Sequence, residues 1–311
     1  MQDPEYTIVV PVYRAERTID ELCERIRNIF DDILRVSFEV ILVDDASPDG
    51  SWAKLCELHG QDSRFKIIQL ARNFGQHNAL MCGFKYAAGE YVITMDDDLQ
   101  HPPEEIPKLI EAMRQHPDAD MVIGAYSSKQ HSLMRNLGSY VSRWFGHRIF
   151  RQNRRLRYSS FRLVRGLTVK SILQVKIERP RVGQLLLQMS NRVVNTPVNH
   201  DPRKYGRSGY AYGRLIKDLI YNIIYNSSLP LQWISYLGLA SAVLSFMLAG
   251  YYLYRYFFVG ITVPGWTTMI LLLLFYFGIL LLAVGIIGEY LARIIKENRR
   301  MPQYVIRDLR R

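Results

Sequence analysis

FEVILVDDASPDGSWAKLCEL, residues 38–58, is a strand-like run that ends in two aspartates, turns through Ser-Pro-Asp-Gly and continues at helical spacing. Phe38 to Val43 reads as a strand buried on both faces, and Asp49-Gly50-Ser51 caps a helix predicted over Ser51 to Leu58. The same unit repeats on either side. Upstream, Tyr6 to Val12 is a strand, and Ile19, Leu22, Ile26, Ile29 and Ile33 give a helix over Thr18 to Leu34. Downstream, strands are predicted at Phe65–Leu70, Tyr91–Met95 and Met121–Gly124, with helices at Asn78–Ala88 and Pro103–Gln115. Alternation this regular implies an α/β domain on a mostly parallel, doubly wound sheet. In such sheets ligands sit beyond the carboxyl ends of the strands.

The first predicted strand runs into Pro11-Val12-Tyr13-Arg14-Ala15-Glu16, the second into Asp44-Asp45, and the fourth into Asp96-Asp97-Asp98-Leu99-Gln100-His101. No GxGxxG or Walker loop follows the first strand, which argues against a dinucleotide enzyme or a P-loop ATPase. Three adjacent carboxylates repel one another unless a cation or strong donors neutralise them. Either Mg2+ or Mn2+ is held there with diphosphate oxygens, or the run is a solvated acidic turn that caps the next helix. The Asp44-Asp45 pair at the neighbouring strand end favours the ligand site. An aspartate there can accept from a pyrimidine imide or ribose hydroxyls, or close an Asx-turn.

The chain has 311 residues, 49% of them hydrophobic, and a formal net charge of +11. Disordered and collagen-like chains are excluded, and an anionic partner is implied. Mean hydropathy is −0.06, but apolarity concentrates near the C-terminal end. Leu229–Tyr254 and Tyr256–Gly288 are charge-free, and at about 1.5 Å per residue each can cross a core of roughly 30 Å, the second through Thr267–Gly288. The alternative is a pair of buried core helices. Basic residues after Gly288, against Arg255 alone between the runs, predict both termini on the cytoplasmic side. The N-terminus lacks the pattern of a signal peptide. Ahead of the first run, Arg214–Asn226 has an apolar stripe, either interfacial or packed on the globular domain. Cys23, Cys56 and Cys82 lack metal-ligand spacing and read as reduced thiols. The expected division is a catalytic domain over 1–210, an interfacial helix over 211–228, a two-helix anchor over 229–292 and a basic tail over 293–311.

PVYRAE, VDDASPDGS, RNFGQHNAL, GEYVITMDDDLQHPPEEIP and RKYGRSGY together resemble the family 2 inverting glycosyltransferases of the GT-A fold. The similar branch moves a sugar from a nucleotide to a polyprenyl phosphate. It includes dolichyl-phosphate mannose synthase, bactoprenol glucosyltransferases and undecaprenyl-phosphate aminoarabinose transferase, towards which RNFGQH leans. The resemblance implies Pro11, Tyr13, Glu16, Asp44, Asp45, Asp96 and Asp97 at the nucleotide, with Asp45 on base or ribose and Asp96 near sugar and diphosphate. It implies Asp98 and Gln100 as ligands of Mg2+ or Mn2+, and Asp98 and Asp96 as the catalytic pair. Arg203, Ser208 and Tyr210 fit an R-x-x-G-x-S-x-Y loop that closes over the diphosphate, and Arg135 and Arg162 are expected on diphosphate or acceptor phosphate. Two features depart from the family pattern. KIERPRVGQL offers Glu178-Arg179 where many relatives carry a general-base aspartate in an ED pair, and Ala125-Tyr126 stands where relatives often carry an arginine.

The implied reaction is in-line attack of a polyprenyl phosphate, undecaprenyl phosphate in bacteria, on the anomeric carbon of a nucleotide sugar, with uridine expected as the nucleoside. It takes place at the cytoplasmic face of the inner membrane, for lipid or surface-glycan modification. Basic residues interleaved with aromatics between Lys129 and Lys176 are assigned to anionic membrane lipid and acceptor phosphate, not to nucleic acid. Homo-oligomers are common in this branch. A processive polysaccharide synthase and a catalytically silent membrane scaffold are the alternatives. A synthase usually has more spans and a Q-x-x-R-W motif, of which GQLLLQMSNRV is a poor echo.

Overall fold

The computed structural model describes residues 4–126, 156–175, 180–201, 265–298 and 302–310, with isolated helical positions between 234 and 258. The chain divides into two compact units. One contains Met1–Asn136, Gln152–Ser208 and Met301–Arg311; the other contains Leu137–Arg151 and Gly209–Arg300.

The first unit is built on an eight-stranded mixed sheet. Its strands are β1 (Tyr6–Val12), β2 (Phe38–Asp44), β3 (Phe65–Leu70), β4 (Tyr91–Thr94), β5 (Met121–Tyr126), β6 (Arg162–Arg165), β7 (Val193–Val198) and β8 (Ile306–Arg310), in the order β7-β5-β6-β4-β1-β2-β3-β8. Parallel pairs join β1 to β2 and β4, β2 to β3, and β5 to β7, whereas β6 and β8 run antiparallel to their neighbours. All five strands expected from the sequence form. β5 does not lie beside β4, because β6 inserts between them.

Every residue of β1 and β2 is buried, as the apolar runs require of strands covered on both faces. Side chains alternate between two cores. Ile8, Val10 and Val12 meet α1 (Ile19–Asn28), α2 (Ser51–Gln61) and α4 (Ile106–Gln115) on one side. Val9, Ile41 and Val43 meet α3 (Gln76–Tyr86), α5 (Gly166–Ile172) and α6 (Val182–Met189) on the other. Gly83 lets α3 approach closely, since a Cβ there would lie 2.4 Å from Val9 Cγ1. The helix expected over Thr18–Leu34 breaks at Asn28 into a π-helical turn, Ile29–Leu34, which ends at Arg35 with φ 52°.

β8 lies within the segment expected as a basic tail. It covers the β3 edge, with Ala71 N donating to Val305 O at 2.8 Å, and Tyr304 and Leu309 pack against the α3-side core. A sheet edge left bare would present a row of unpaired backbone groups.

In the second unit, α7 (Trp266–Asn298) is a continuous helix whose sequence is free of charge as far as Gly288. Among the described residues no helix is long and apolar enough to cross a membrane. The Arg214–Asn226 stripe and the interfacial segment 211–228 lie outside the described residues, as does most of Leu229–Tyr254.

At the sheet end opposite the expected site, Glu39 is 3% exposed. It accepts from Thr7 Oγ1 at 2.6 Å and Ala88 N at 2.8 Å and pairs with Lys66, while Gly89 N donates to Thr7 Oγ1 at 2.8 Å. One carboxylate therefore ties β1, β2, β3 and the turn before β4. Glu39→Ala should cost about 3 kcal/mol, because it strands an amide, a hydroxyl and an ammonium together. Asp20→Ala, which removes the surface pair with Lys54, should cost less than about 1 kcal/mol. Denaturant titration of the two variants tests the contrast, and equal losses would refute it.

Candidate active site

Parallel register brings the ends of β1, β2 and β4 to one edge, with Val12 opposite Asp44 and Val9 opposite Thr94. A cleft of about 350 Å³ opens there, lined by Pro11, Val12, Tyr13, Asp45, Asn73, Gly75, Gln76, Asp96, Asp97 and Asp98. Of the residues expected at the nucleotide, Pro11, Tyr13, Asp45, Asp96 and Asp97 line it. Glu16 and Asp44 do not. Glu16 accepts from Gly50 N at 3.2 Å. Asp44 is fully buried and shapes its own turn, accepting from Ser47 N at 3.1 Å and Gln69 Nε2 at 3.3 Å.

Three residues just past these strands, Arg14, Ala46 and Leu99, have φ of 58°, 53° and 59°. Non-glycine residues avoid this region, at roughly 1–2 kcal/mol each, and such strain concentrates where function holds it. Gly75, with φ 90°, turns the chain into α3.

Each carboxylate is held differently. Asp45 receives Phe74 N at 2.6 Å and Gly75 N at 2.8 Å, so β2 fixes the cleft wall that leads into α3. Burial nevertheless raises its pKa above the usual carboxylate value, against those two bonds, and the Asp44 charge adds to the rise. Asp96 accepts from Gln76 Nε2 and from Ser160 Oγ at 2.7 Å. Asp97 accepts from Tyr13 N at 2.9 Å. Its burial pushes its pKa up to about 7; the Tyr13 bond opposes this, and the Asp96 and Asp98 charges reinforce it. Asp98 Oδ1 receives Gln100 N at 3.1 Å.

Sequence reasoning assigned no role to Gln76 and Ser160, which orient Asp96, or to His101. The His101 ring is buried, stacks on Phe161 at 5.5 Å, meets His200 edge-on at 6.0 Å, and has Nδ1 3.8 Å from Asp96 Oδ2. Gln76 lies in the quoted RNFGQH; Ser160 gives no sequence signal beyond its closeness to Arg162.

The 199–201 segment is tied to the same turn. Glu105 accepts from Asn199 N at 3.1 Å and Nδ2 at 2.9 Å, and Asp201 N donates to Gln100 O at 3.1 Å. Arg203, Ser208 and Tyr210, which follow this anchored segment, lie outside the described residues, and so does Arg135. Arg162 is described and is almost wholly buried.

Among the described residues, no three His, Cys, Asp or Glu side chains form a ready cage for a metal. Of the two expected metal ligands, Asp98 lines the cleft and Gln100 is not among its lining residues, and one or two hard oxygens suit a different arrangement. Magnesium-like ions take one or two protein oxygens and fill their shell with phosphate and water.

Residues 7–169 match the protein family described as Glycosyl transferase family 2. The chain belongs to this family, and its described sheet is a mixed α/β fold of the GT-A kind. Similar proteins span nearly its whole length. An undecaprenyl-phosphate 4-deoxy-4-formamido-L-arabinose transferase of Proteus mirabilis is 33% identical, over 96% of this chain and 92% of its own. A protein of the same name from Edwardsiella ictaluri is 31% identical, over 97% and 93%. An uncharacterized glycosyltransferase of Synechocystis is 29% identical, over 98% and 95%. Glucosyl-3-phosphoglycerate synthase of Mycobacterium tuberculosis, solved with Mn2+, uridine diphosphate and glucosyl-3-phosphoglycerate, shares the fold. Its TM-score is 0.51 at 15% identity, over 72% of this chain and 80% of the other.

Asp97 holds its proton more tightly folded than unfolded. Between about pH 4 and 7 the folded chain keeps a proton that the unfolded chain has lost, so stability should fall as pH rises through that window. Asp97→Asn keeps an acceptor for Tyr13 N and should flatten this slope, raising the melting temperature at pH 8 in metal-free buffer. Parallel pH profiles for wild type and variant would refute the buried, proton-retaining state.

Proposed function

We propose that this glycosyltransferase moves a sugar from a uridine diphosphate sugar to a polyprenyl phosphate at a membrane surface. The observation that carries the proposal is the cleft itself. Asp45, locked by two backbone amides, and Asp96, Asp97 and Asp98 converge at one strand edge in a chain of strong positive charge. The relatives named for undecaprenyl phosphate cover nearly the whole chain, which supports the acceptor.

Pro11, Tyr13 and Asp45 bind the nucleoside, with Asp45 accepting from base or ribose. Asp96, fixed by Gln76 and Ser160, sits near the sugar and diphosphate. Asp97 holds the Tyr13 backbone and so the shape of the base pocket. Asp98 and Gln100 would hold Mg2+ or Mn2+, whose chemistry is to neutralise charge building on the departing diphosphate. An acceptor phosphate oxygen attacks the anomeric carbon in line, and the bonding pair of the old C–O bond leaves with the diphosphate, inverting that carbon. No proton has to move, because a phosphate monoester is ionised at neutral pH. That chemistry accounts for Glu178-Arg179 in place of a general-base pair. Arg135, Arg162, Arg203, Ser208 and Tyr210 are assigned to phosphate oxygens of the two substrates.

Membrane attachment rests on the two apolar runs and on topology. The unbroken backbone of α7 from Trp266 to Gly288, the last residue before its first charge, rises roughly 34 Å, enough for a hydrocarbon core. β8 returns to the sheet formed by β1–β7, so any membrane between them is crossed an even number of times. Two crossings, with catalytic domain and termini on the cytoplasmic side, fit that parity and the distribution of basic residues. Anionic lipid is the partner assigned to the basic residues between Lys129 and Lys176.

Asp98→Ala should reduce transfer from uridine diphosphate sugars to undecaprenyl phosphate at least about 1,000-fold while leaving the melting temperature within a few degrees. EDTA should abolish activity, and Mg2+ or Mn2+ should restore it. Activity that survives either treatment would sink the assignment of Asp98 and the metal.

A further inference from the structure

The connection from β3 to α3 has two faces. Asn73, Gly75 and Gln76 line the acidic cleft, whereas Ala71, Arg72 and Phe74 line a second hollow of about 310 Å³. On the cleft face, Phe74 N and Gly75 N donate to Asp45, and Gln76 Nε2 donates to Asp96. The other face is covered by the C-terminal end of the chain, since Pro302 and Val305 complete the lining of the hollow. Arg72 lies 4.7 Å over the Phe74 ring, so the two larger side chains of this face pack on each other.

The covering segment is fastened along its length. Ala71 N donates to Val305 O at 2.8 Å, and from Ile306 onward the chain pairs with β3, with a register shift between Gln69 and Leu70. Tyr304 is half-buried against the α3-side core, where its phenol meets the Cys82 thiol of α3. Gln303 Nε2 donates to Val175 O at 3.2 Å. Residues 302–310 therefore hold the strand before the connection, the helix after it and, through Pro302 and Val305, the connection itself. A connection held only at its ends and by Asp45 would sample more conformations, and a ligand that has to order it again binds more weakly.

We propose that residues 302–310 are a positioning element for the cleft, with Tyr304 as its anchor and Val305 as its contact to the connection over residues 71–76. The inference rests on the reading of the cleft as the nucleotide-sugar site. None of residues 302–310 lines that cleft. They act through the connection. Val305 O fixes Ala71, the hollow packs Arg72 and Phe74, and the Phe74 and Gly75 amides then stand where Asp45 receives them. Gln76, the next residue, opens α3 and reaches Asp96. A segment more than two hundred residues further along the chain thus sets how firmly the two aspartates are held for the nucleotide.

The test uses the full-length enzyme in nanodiscs, with uridine diphosphate in Mn2+ buffer as the binding probe and hydrogen exchange at residues 71–76 as the readout of the connection. Tyr304→Ala should weaken uridine diphosphate binding about fivefold or more in calorimetry and quicken exchange at 71–76 about tenfold, with exchange in β1 unchanged. Tyr304→Phe keeps the ring and should bind within twofold of wild type. Glu39→Ala, at the opposite end of the sheet, lowers stability away from the connection and should also leave the Kd within twofold. Pro302→Gly keeps the Tyr304 anchor and should weaken binding about threefold, so it carries the test if Tyr304→Ala fails to fold. An unchanged Kd in these two C-terminal variants would overturn the proposal, even where exchange quickens. Equal weakening by Glu39→Ala would overturn it too, because the effect would then follow general stability. If wild type binds no uridine diphosphate, the donor reading fails and exchange alone decides the positioning: faster exchange at 71–76 in Tyr304→Ala upholds it, and equal exchange overturns it.

Discussion

Parallel hydrogen bonding of β1 to β2 on one side and β4 on the other is the constraint on which the rest depends. It stops three chain segments at one level, so the carboxylates of the second and fourth segments cannot avoid each other. Repulsion among Asp44, Asp45, Asp96, Asp97 and Asp98 must then be answered locally. The chain answers it with backbone amides on Asp44, Asp45, Asp97 and Asp98 and with amide and hydroxyl side chains on Asp96, while burial raises the pKa of Asp97. Those answers are also what give the cleft its shape. The strained residues Arg14, Ala46 and Leu99 turn the backbone so that its amides point at carboxylates.

Charge is distributed in opposition across this domain. The cleft is acidic and sits beside a buried, cationic Arg162 in a chain that is basic overall. An enzyme joining two anionic substrates at one carbon faces this requirement: one anion must be held through a cation, the other directly by positive side chains and helix amides. On the proposed reading, the acidic edge suits the first. Asp96, attracted to Arg162 and fixed by Gln76 and Ser160, stands where the two fields meet.

Much of this was legible in the sequence, and the reasons are specific. The five principal strands follow from runs such as YTIVVPV and FEVILV, which alternate between two buried faces and are punctuated by turn residues. Asp45, Asp96 and Asp98 could be named because acidic residues rarely follow a strand in clusters without cause. Asp44 and Glu16 share that neighbourhood, yet neither lines the cleft, a distinction only the three-dimensional arrangement reveals. β6, β7 and β8 carry weak signals, since RLVR, VVNTPV and IRDLR mix polar and apolar residues, although β6 is almost wholly buried. The left-handed turns at Arg14, Ala46 and Leu99 carry no signal, because none is glycine or asparagine. Ser160 and His101 carry little signal because Asp96, for the first, and Phe161 and His200, for the second, lie far away along the chain.

The edge strand β8 has a further consequence, for the order in which the protein is made. Its partner β3 emerges early, more than two hundred residues before the segment that will cover it. Until the apolar segments have been synthesised and have found their own environment, the backbone of β3 stays open on that side. The sheet is therefore completed only after the hydrophobic part of the chain has been dealt with. A nascent chain that stalls in those segments keeps an uncapped edge.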